Sequence, residues 1–559
     1  MRKYLFSIRK YIALEIVLDL ISSAALALLP YLVKLLFDSA DNLSLQLLLT
    51  LASLYFLCVL VSLLATYLDQ IVSWKGAIAF EVALKRDFFE SISRYRYQRF
   101  VSRDVGEYVS VQAHEITQLT MDYLTPLLNI FKMANSIVIF GAVLLFLVDM
   151  RIGIAIMVLS LFSALIVPSI GARTISSRRK VYLDTQGEYA TKMQDLLEGF
   201  KLIRPDTRSR VLEEHESVLN LTAHKRFRYG KIKSLLGVVR GFFLYLLNFG
   251  AFSLVGWFLL LGEITIGIGA ATLGFIESFI TPIQSIITDM ATIRSTAGIK
   301  EKVMDMLNWG TEGDMPAATA FNEAIVFDNV TVRYKDFSLE NFSFRFSKGK
   351  KYAIIGPNGS GKSTIVRALM KYVELDAGMI TVDENELHRT DVTPLIWCVD
   401  QHEHIFRADF VSNTTVFNSV PYERAMPRFF SLIGGSKLHS ISKQKNCRLL
   451  SGGEKQVIGL FRMMLADKEI LLLDEPFSAM DSQIAQSMKL YVSSLVDKTI
   501  ISVTHDLGDH LHNFDEVLLM RAGRLCAAGP WRTVRASDEF ASFLSSDAVR
   551  DSASLASAG

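Results

Sequence analysis

Cysteine is scarce in this chain. Its 559 residues hold four, Cys58, Cys398, Cys447 and Cys526, far apart and never in CxxC spacing. That pattern argues against a disulfide framework or a cysteine-ligated metal centre. A surplus of either charge is also missing, with 59 basic residues against 57 acidic. No basic field marks a nucleic-acid binder, so nucleic acid is not an expected partner. Apolar side chains are what the sequence does have: they make up 50% of it, and the mean hydropathy is +0.30. Such a chain is too apolar for an ordinary soluble enzyme and long enough for two or more domains.

The apolar residues concentrate ahead of Ile299. Six runs, near 12–37, 46–70, 124–148, 152–172, 236–261 and 268–290, are each near or above the ~20 residues that cross ~30 Å of hydrocarbon. The second continues past Lys85 as an amphipathic pattern and should project beyond a bilayer. Basic residues cluster in the long connections: Arg2, Lys3, Arg9 and Lys10 first, then Lys75 to Arg103, then 173–235. The opposite connections, Asp38 to Asn42, Asp149 to Arg151 and Gly262 to Glu263, are short and poor in basic residues. The positive-inside rule then puts both ends of this half in the cytoplasm, and the expected location is the cytoplasmic membrane. Ala25 and Ala27 imitate a signal-peptide cleavage site. The apolar region there is too long, however, and carries Glu15 and Asp19, with further spans behind it.

Near Trp309 the composition shifts. "WGTEGDMPAATA" is small, polar and turn-rich, as a linker should be. After it, short β-branched runs alternate with helical patterns, the mark of an α/β domain with a largely parallel sheet. The expected division is 1–308 membrane domain, 309–322 linker, 323–545 α/β domain and 546–559 flexible tail. The fold class is an all-α polytopic membrane domain joined to an α/β domain, and the loop "GPNGSGKST", Gly356 to Thr364, marks the latter as a P-loop NTPase domain.

The chemistry lies at strand ends. "YAIIGPNGSGKST" reads strand, glycine loop, helix, and Gly356, Gly361, Lys362 and Ser363 match GxxxxGK[ST]. Glycines let backbone N–H groups wrap phosphates, Lys362 neutralises β- and γ-phosphate charge, and Ser363 offers a hydroxyl to Mg²⁺. "EILLLDEPFSAMD" is a buried strand ending in two carboxylates. Asp474 can serve Mg²⁺ while Glu475 serves the attacking water. His505, after "TIISVT", can reach the γ-phosphate or that water, and Gln401 can contact Mg²⁺ or water. A second glycine turn, Ser451, Gly452 and Gly453 in "LLSGGEKQ", opens another helix whose N-terminus suits an anion.

Together these motifs resemble the nucleotide-binding domain of ATP-binding cassette (ABC) transporters, in the family's order. The resemblance implies the following roles. Tyr334 stacks on adenine. Gly356, Pro357, Asn358, Gly359, Ser360, Gly361, Lys362, Ser363 and Thr364 form the Walker A loop. Gln401 lies in the Q-loop, and Ser451, Gly452 and Gly453 form the signature. Asp474 and Glu475 are Walker B and the catalytic glutamate. Ser478 to Asp481 form the D-loop, and His505 is the switch histidine. ATP and Mg²⁺ are the implied cofactors. The family sandwiches each ATP between one chain's Walker A and the other's signature, so one cassette per chain implies a second half-transporter as partner. Six spans with two long cytoplasmic loops resemble the exporter-type half-transporter, with short coupling helices expected near 103–110 and 204–212.

Two departures stand out. The signature ends in Glu454, where the family usually has Gln; this changes charge and not shape, and should leave the phosphate contacts of Ser451 and Gly453. "SKQKNCRL", just before it, lacks the acidic-glycine pattern of many exporters. Charges within spans each need a reason: Glu15 and Asp19 on one face, Lys34 and Asp38 as a possible pair, Lys132 with Asn129 and Asn135, and Glu277. A mixed cavity lined by Glu277, Phe275 and Phe279 would suit an amphipathic small molecule or peptide. The expected function is ATP-driven transport of such a solute, as export. A siderophore importer of exporter shape and an ATP-gated channel are the alternatives.

Overall fold

The computed structural model describes residues 1–309, 315–421, 429, 431–432 and 435–544, less the side chains of 163–165, 168, 244, 247, 277, 435–438 and 509. The expected tail 546–559 lies outside the described residues. The chain forms two compact units: Met1–Arg94 with Asp104–Thr311, and Tyr95–Arg103 with Glu312–Gly559.

The first unit is helical: α1 (Arg9–Asp38), α2 (Leu45–Ser93), α3 (Val105–Val148), α4 (Met150–Ile166), α5 (Ala172–Glu198), α6 (Arg208–Leu260), α7 (Ile266–Ser295) and α8 (Ala297–Trp309). Among the described residues, five helices are long and apolar enough to cross a membrane: α1, α2, α3, α6 and α7. The fourth expected span, 152–172, is not one helix. It breaks after α4 into a 3-10 turn, Val167–Ser169, and Gly171 takes a left-handed φ of 69° before α5 starts. A Cβ on Gly171 would lie 2.4 Å from Leu236 Cδ1, so the close approach of α6 needs glycine here. The break frees the Ile170 carbonyl, and Arg240 of α6 donates to it from Nε and Nη2 at 3.1 and 2.9 Å. An apolar surrounding demands such internal satisfaction.

Helix α1 packs on α2, α3 and α7, and α5 pairs with α6. Small polar side chains join the first group: Ser22 to Ser62 at 3.0 Å and Ser23 to Ser136 at 3.1 Å. Small residues allow helices to approach, and their hydroxyls find partners across the seam. The charges are paired between helices. Lys132 on α3 lies 3.0 Å from Glu15 on α1 and 2.7 Å from Asp69 on α2. Asn135 donates to Asp19 at 3.5 Å, and Asn129 donates to Asp289 at 2.7 Å. Lys34 and Asp38 do not pair with each other. Lys34 donates to the Leu147 carbonyl at 3.0 Å, and Asp38 accepts from the Gly267 N–H at 3.2 Å. Phe275 and Phe279, expected to line a passage, are instead fully buried in a packed cluster with Leu144, Ile152 and Ile276. Glu277 lies on the same helix, and its side chain is outside the described residues.

The expected coupling helices are displaced. Residues Val105–Ser110 form the first turns of α3. The separate short helix is Tyr97–Val101, and it clusters with the second unit, where the Tyr97 and Tyr372 ring centroids are 4.1 Å apart. Before α6, the chain forms a 3-10 turn at Phe200–Leu202 and a Thr207-closed turn at Arg204. No isolated helix covers 204–212 among the described residues.

The second unit carries two sheets, where the sequence pattern pointed to one largely parallel sheet. Strands β1 (Ala324–Arg333), β2 (Ser338–Ser347), β4 (Ala377–Val382) and β5 (Asn385–Glu386) form an antiparallel sheet in the order β2-β1-β4-β5. Strands β3 (Lys351–Ile355), β6 (Ile396–Val399), β7 (Ile470–Asp474), β8 (Thr499–Val503), β9 (Glu516–Arg521) and β10 (Arg524–Gly529) form the other, in the order β10-β9-β3-β8-β7-β6. It is parallel except at β10. Its central strands β3, β7 and β8 are almost wholly buried, as parallel strands covered on both faces must be. The later linker residues belong to this unit: Ala318 N–H donates to the Asp391 carbonyl at 2.8 Å, and Phe321 is fully buried.

Candidate functional site

The motifs singled out in the sequence meet at the C-terminal edge of the parallel sheet, the edge where ligands bind in open α/β folds. Strand β3 ends at Ile355, and the chain turns through Gly356 at φ 144°. A Cβ there would sit 2.1 Å from the Met520 carbonyl, so only glycine lets the loop leave the strand this way. The loop runs to Gly361, φ 99°, which starts α9 (Lys362–Leu369). Lys362 folds over the loop and donates to the Gly356 and Pro357 carbonyls, both at 2.9 Å.

Strand β7 delivers the two carboxylates. Asp474 Oδ1 accepts from Ser363 Oγ at 3.0 Å. Burial pushes the Asp474 carboxyl above its ordinary range, and the Ser363 hydrogen bond opposes that rise. Glu475 adopts a left-handed φ of 50°, a conformation that costs about 1–3 kcal/mol in a non-glycine residue and recurs at functional sites. Its carboxylate is held from two sides: Gln401 Nε2 donates to Oε2 at 2.9 Å, and His505 Nε2 pairs closely with Oε1. The sequence motifs carrying Gln401, Glu475 and His505 are thus brought to one point.

These residues line a cavity of about 380 Å³, with Asn358, Gly359, Ser360, Gly361, Lys362, Ser363 and Thr364 on one side. Phe337 completes the lining. Sequence reasoning missed it; Tyr334, singled out as the adenine platform, is not in the lining and lies at a 6.2 Å ring separation from Phe337. Ser451, Gly452 and Gly453 are likewise absent from the lining. They open α10 (Gly452–Ala466), where Ser451 caps the helix and Glu454 completes a capping box. A Cβ on Gly453 would lie 2.4 Å from the Ala479 carbonyl, so the signature turn rests on the D-loop. Asp481 of that loop caps α11 (Ser482–Ser494) through the Gln483 N–H at 3.0 Å.

Three further residues tie these loops together, and no motif flagged them. Gln456, buried on α10, donates to the Gln401 carbonyl and to Ser478 Oγ, both at 3.3 Å, and accepts from the Ala479 N–H at 3.1 Å. It therefore joins Q-loop, signature helix and D-loop. Arg462, also on α10, pairs with Glu403 at 3.1 Å, both nearly buried, and donates to the His404 and Asn413 carbonyls at 2.8 Å. Burial raises the Glu403 carboxyl and the Arg462 charge opposes that rise. Removing one member of a buried pair strands the other charge. Arg462→Ala is therefore expected to cost about 3–5 kcal/mol, read as a lowered thermal midpoint of the purified chain. An unchanged midpoint would show that Glu403 finds another partner.

Family models match both halves of the chain: an ABC transporter transmembrane region over residues 11–283 and an ABC transporter domain over residues 339–478. The thiamine import ATP-binding protein ThiQ of Jannaschia sp. (strain CCS1) is 32% identical over 214 residues, 36% of this chain and 91% of that protein. The putative multidrug export ATP-binding/permease protein YgaD of Bacillus subtilis (strain 168) is 21% identical over 493 residues, 83% of this chain and 82% of that protein. The fold is shared with a bacterial Atm1-family ABC exporter with ATP bound: TM-score 0.75, 20% identity, covering 94% of this chain and 96% of that one. Of two sulfate/thiosulfate import ATP-binding proteins CysA, from Synechocystis sp. and Mycobacterium bovis, the chain spans only 60% and 61%. With a matched transmembrane region and a matched ATP-binding region on one polypeptide, the chain belongs to the ABC transporter family.

Proposed function

We propose that this chain is an ATP-hydrolysing half-transporter that works with a second half-transporter and moves an amphipathic small molecule or peptide out across the cytoplasmic membrane. One observation carries the reading. The cavity built from Walker A, Gln401, Glu475 and His505 lacks the signature residues Ser451, Gly452 and Gly453, so a second cassette is needed to close it. The exporter named above shares the fold along nearly the whole chain, and YgaD bears an export name; both favour outward transport. The cytoplasmic placement of the cassette rests on the basic loops.

The chain's own residues divide the work. Lys362 and the loop N–H groups hold the β- and γ-phosphates. Glu475, fixed between Gln401 and His505, orients and polarises the attacking water. Ser363, Asp474 and Gln401 fit a hard cation by donor type, offering hydroxyl, carboxylate and amide oxygens. Mg²⁺ held there would neutralise charge on the phosphates.

The test is transport by the purified chain in proteoliposomes. With ATP outside, inward-facing cassettes aside, amphipathic solutes that stimulate ATPase should accumulate in the lumen against their gradient. Solute that only runs down its gradient would mark a gated channel and overturn the reading. Failure to hydrolyse ATP alone would point to an obligate, different partner chain.

A further inference from the structure

Glu454 stands where the family's signature usually carries glutamine, and its bonds show what the extra charge does. Its Oε2 accepts from the Ser451 N–H at 2.9 Å and from Ser451 Oγ at 2.8 Å, while its own N–H donates to Ser451 Oγ at 3.4 Å. The first and third bonds make an ordinary capping box. The second is additional. A serine hydroxyl has one proton to donate, and here Glu454 takes it. An incoming phosphate needs that proton and the N–H groups of the same helix start. Both Ser451 donors are already turned toward a full negative charge. A glutamine could accept the same N–H through its amide oxygen and bring no charge.

We propose that Glu454 is an internal competitor of the γ-phosphate: it holds Ser451 in a self-satisfied state and raises the ATP concentration at which two cassettes close. This rests on the shared-nucleotide reading above. Glu454 is a positioning residue, acting through Ser451 and not on the reacting atoms. Its effect is electrostatic, so salt should weaken it, whereas the capping box alone would give a salt-independent contribution.

The experiment uses the full chain in lipid nanodiscs, in a Glu475→Gln background that retains bound ATP. The ATP concentration for half-maximal nucleotide occlusion is measured with Glu454, with Glu454→Gln and with Glu454→Asp, at low and high ionic strength. ADP affinity, which reads the Walker A side, should be the same in all three. Glu454→Gln is expected to lower the occlusion half-point by roughly three- to thirtyfold at low salt, with the gap narrowing as salt rises. Glu454→Asp, which keeps the charge, should stay close to the parent. Intact occlusion with an unchanged or raised half-point in Glu454→Gln would overturn the role of Glu454 and leave the shared nucleotide standing. No occlusion in any of the chains would overturn the shared nucleotide, and the competitor with it.

Discussion

Replacing Glu475 by Gln should cut steady-state ATP turnover by about 10²–10⁴-fold, the usual contribution of a positioned general base, while ATP binding survives. The geometry sets that expectation. Glu475 stands in a left-handed backbone conformation and receives Gln401 on one carboxylate oxygen and His505 on the other. Glutamine keeps the shape but loses the charge that polarises water, and its amide nitrogen cannot accept from either neighbour. Lys362 and the loop remain, so nucleotide should still bind and a closed dimer should persist. Phosphate release by the chain in lipid, at saturating ATP, checks this. Turnover within twofold of the parent would show that another group handles the water.

Lys362→Ala should weaken ATP binding by about 10- to 150-fold, the equivalent of the ~1.5–3 kcal/mol carried by a hydrogen bond to a charged group. Two losses combine. The phosphates lose an ammonium, and the loop loses the bridge from Lys362 to the Gly356 and Pro357 carbonyls. Equilibrium binding of a fluorescent ATP analogue reads the effect. Unchanged affinity would remove the glycine loop from the nucleotide site.

Much of the site was legible because its chemistry lives in local turns. A glycine loop between a strand and a helix, two carboxylates at a strand end and a histidine at the next each follow from short stretches of chain. Their convergence follows from parallel strands ending at one edge. Residues that act across elements left no such trace. Phe337 lies in the turn between β1 and β2, and its proximity to Gly361 depends on how that hairpin folds over the loop. Arg462 and Glu403 belong to no motif and are 59 positions apart, so only the packing of α10 brings them together. In the membrane half, the length of α2 was legible from its amphipathic continuation. The break at Gly171 was not, because an apolar run counts Val, Ile and Leu and does not register the backbone reversal. Lys132 was visible as a charge in a span. Its partner Asp69 was not, because it sits where the second apolar run ends and an acidic residue there draws no notice. Phe275 and Phe279 were expected to line a passage with Glu277, yet packing among α3, α4, α6 and α7 buries them.

The central claim is that one ATP lies between two copies of the cassette, and crosslinking measures it most directly. Two differently tagged forms of the chain, Asn358→Cys in one and Ser451→Cys in the other, both carrying Glu475→Gln, are co-assembled in lipid and treated with a short bifunctional thiol reagent. The account predicts an inter-chain product joining positions 358 and 451 that forms with ATP and falls away with ADP. Absence of that product with ATP bound, while the two tagged forms co-purify and each still binds nucleotide, would contradict it.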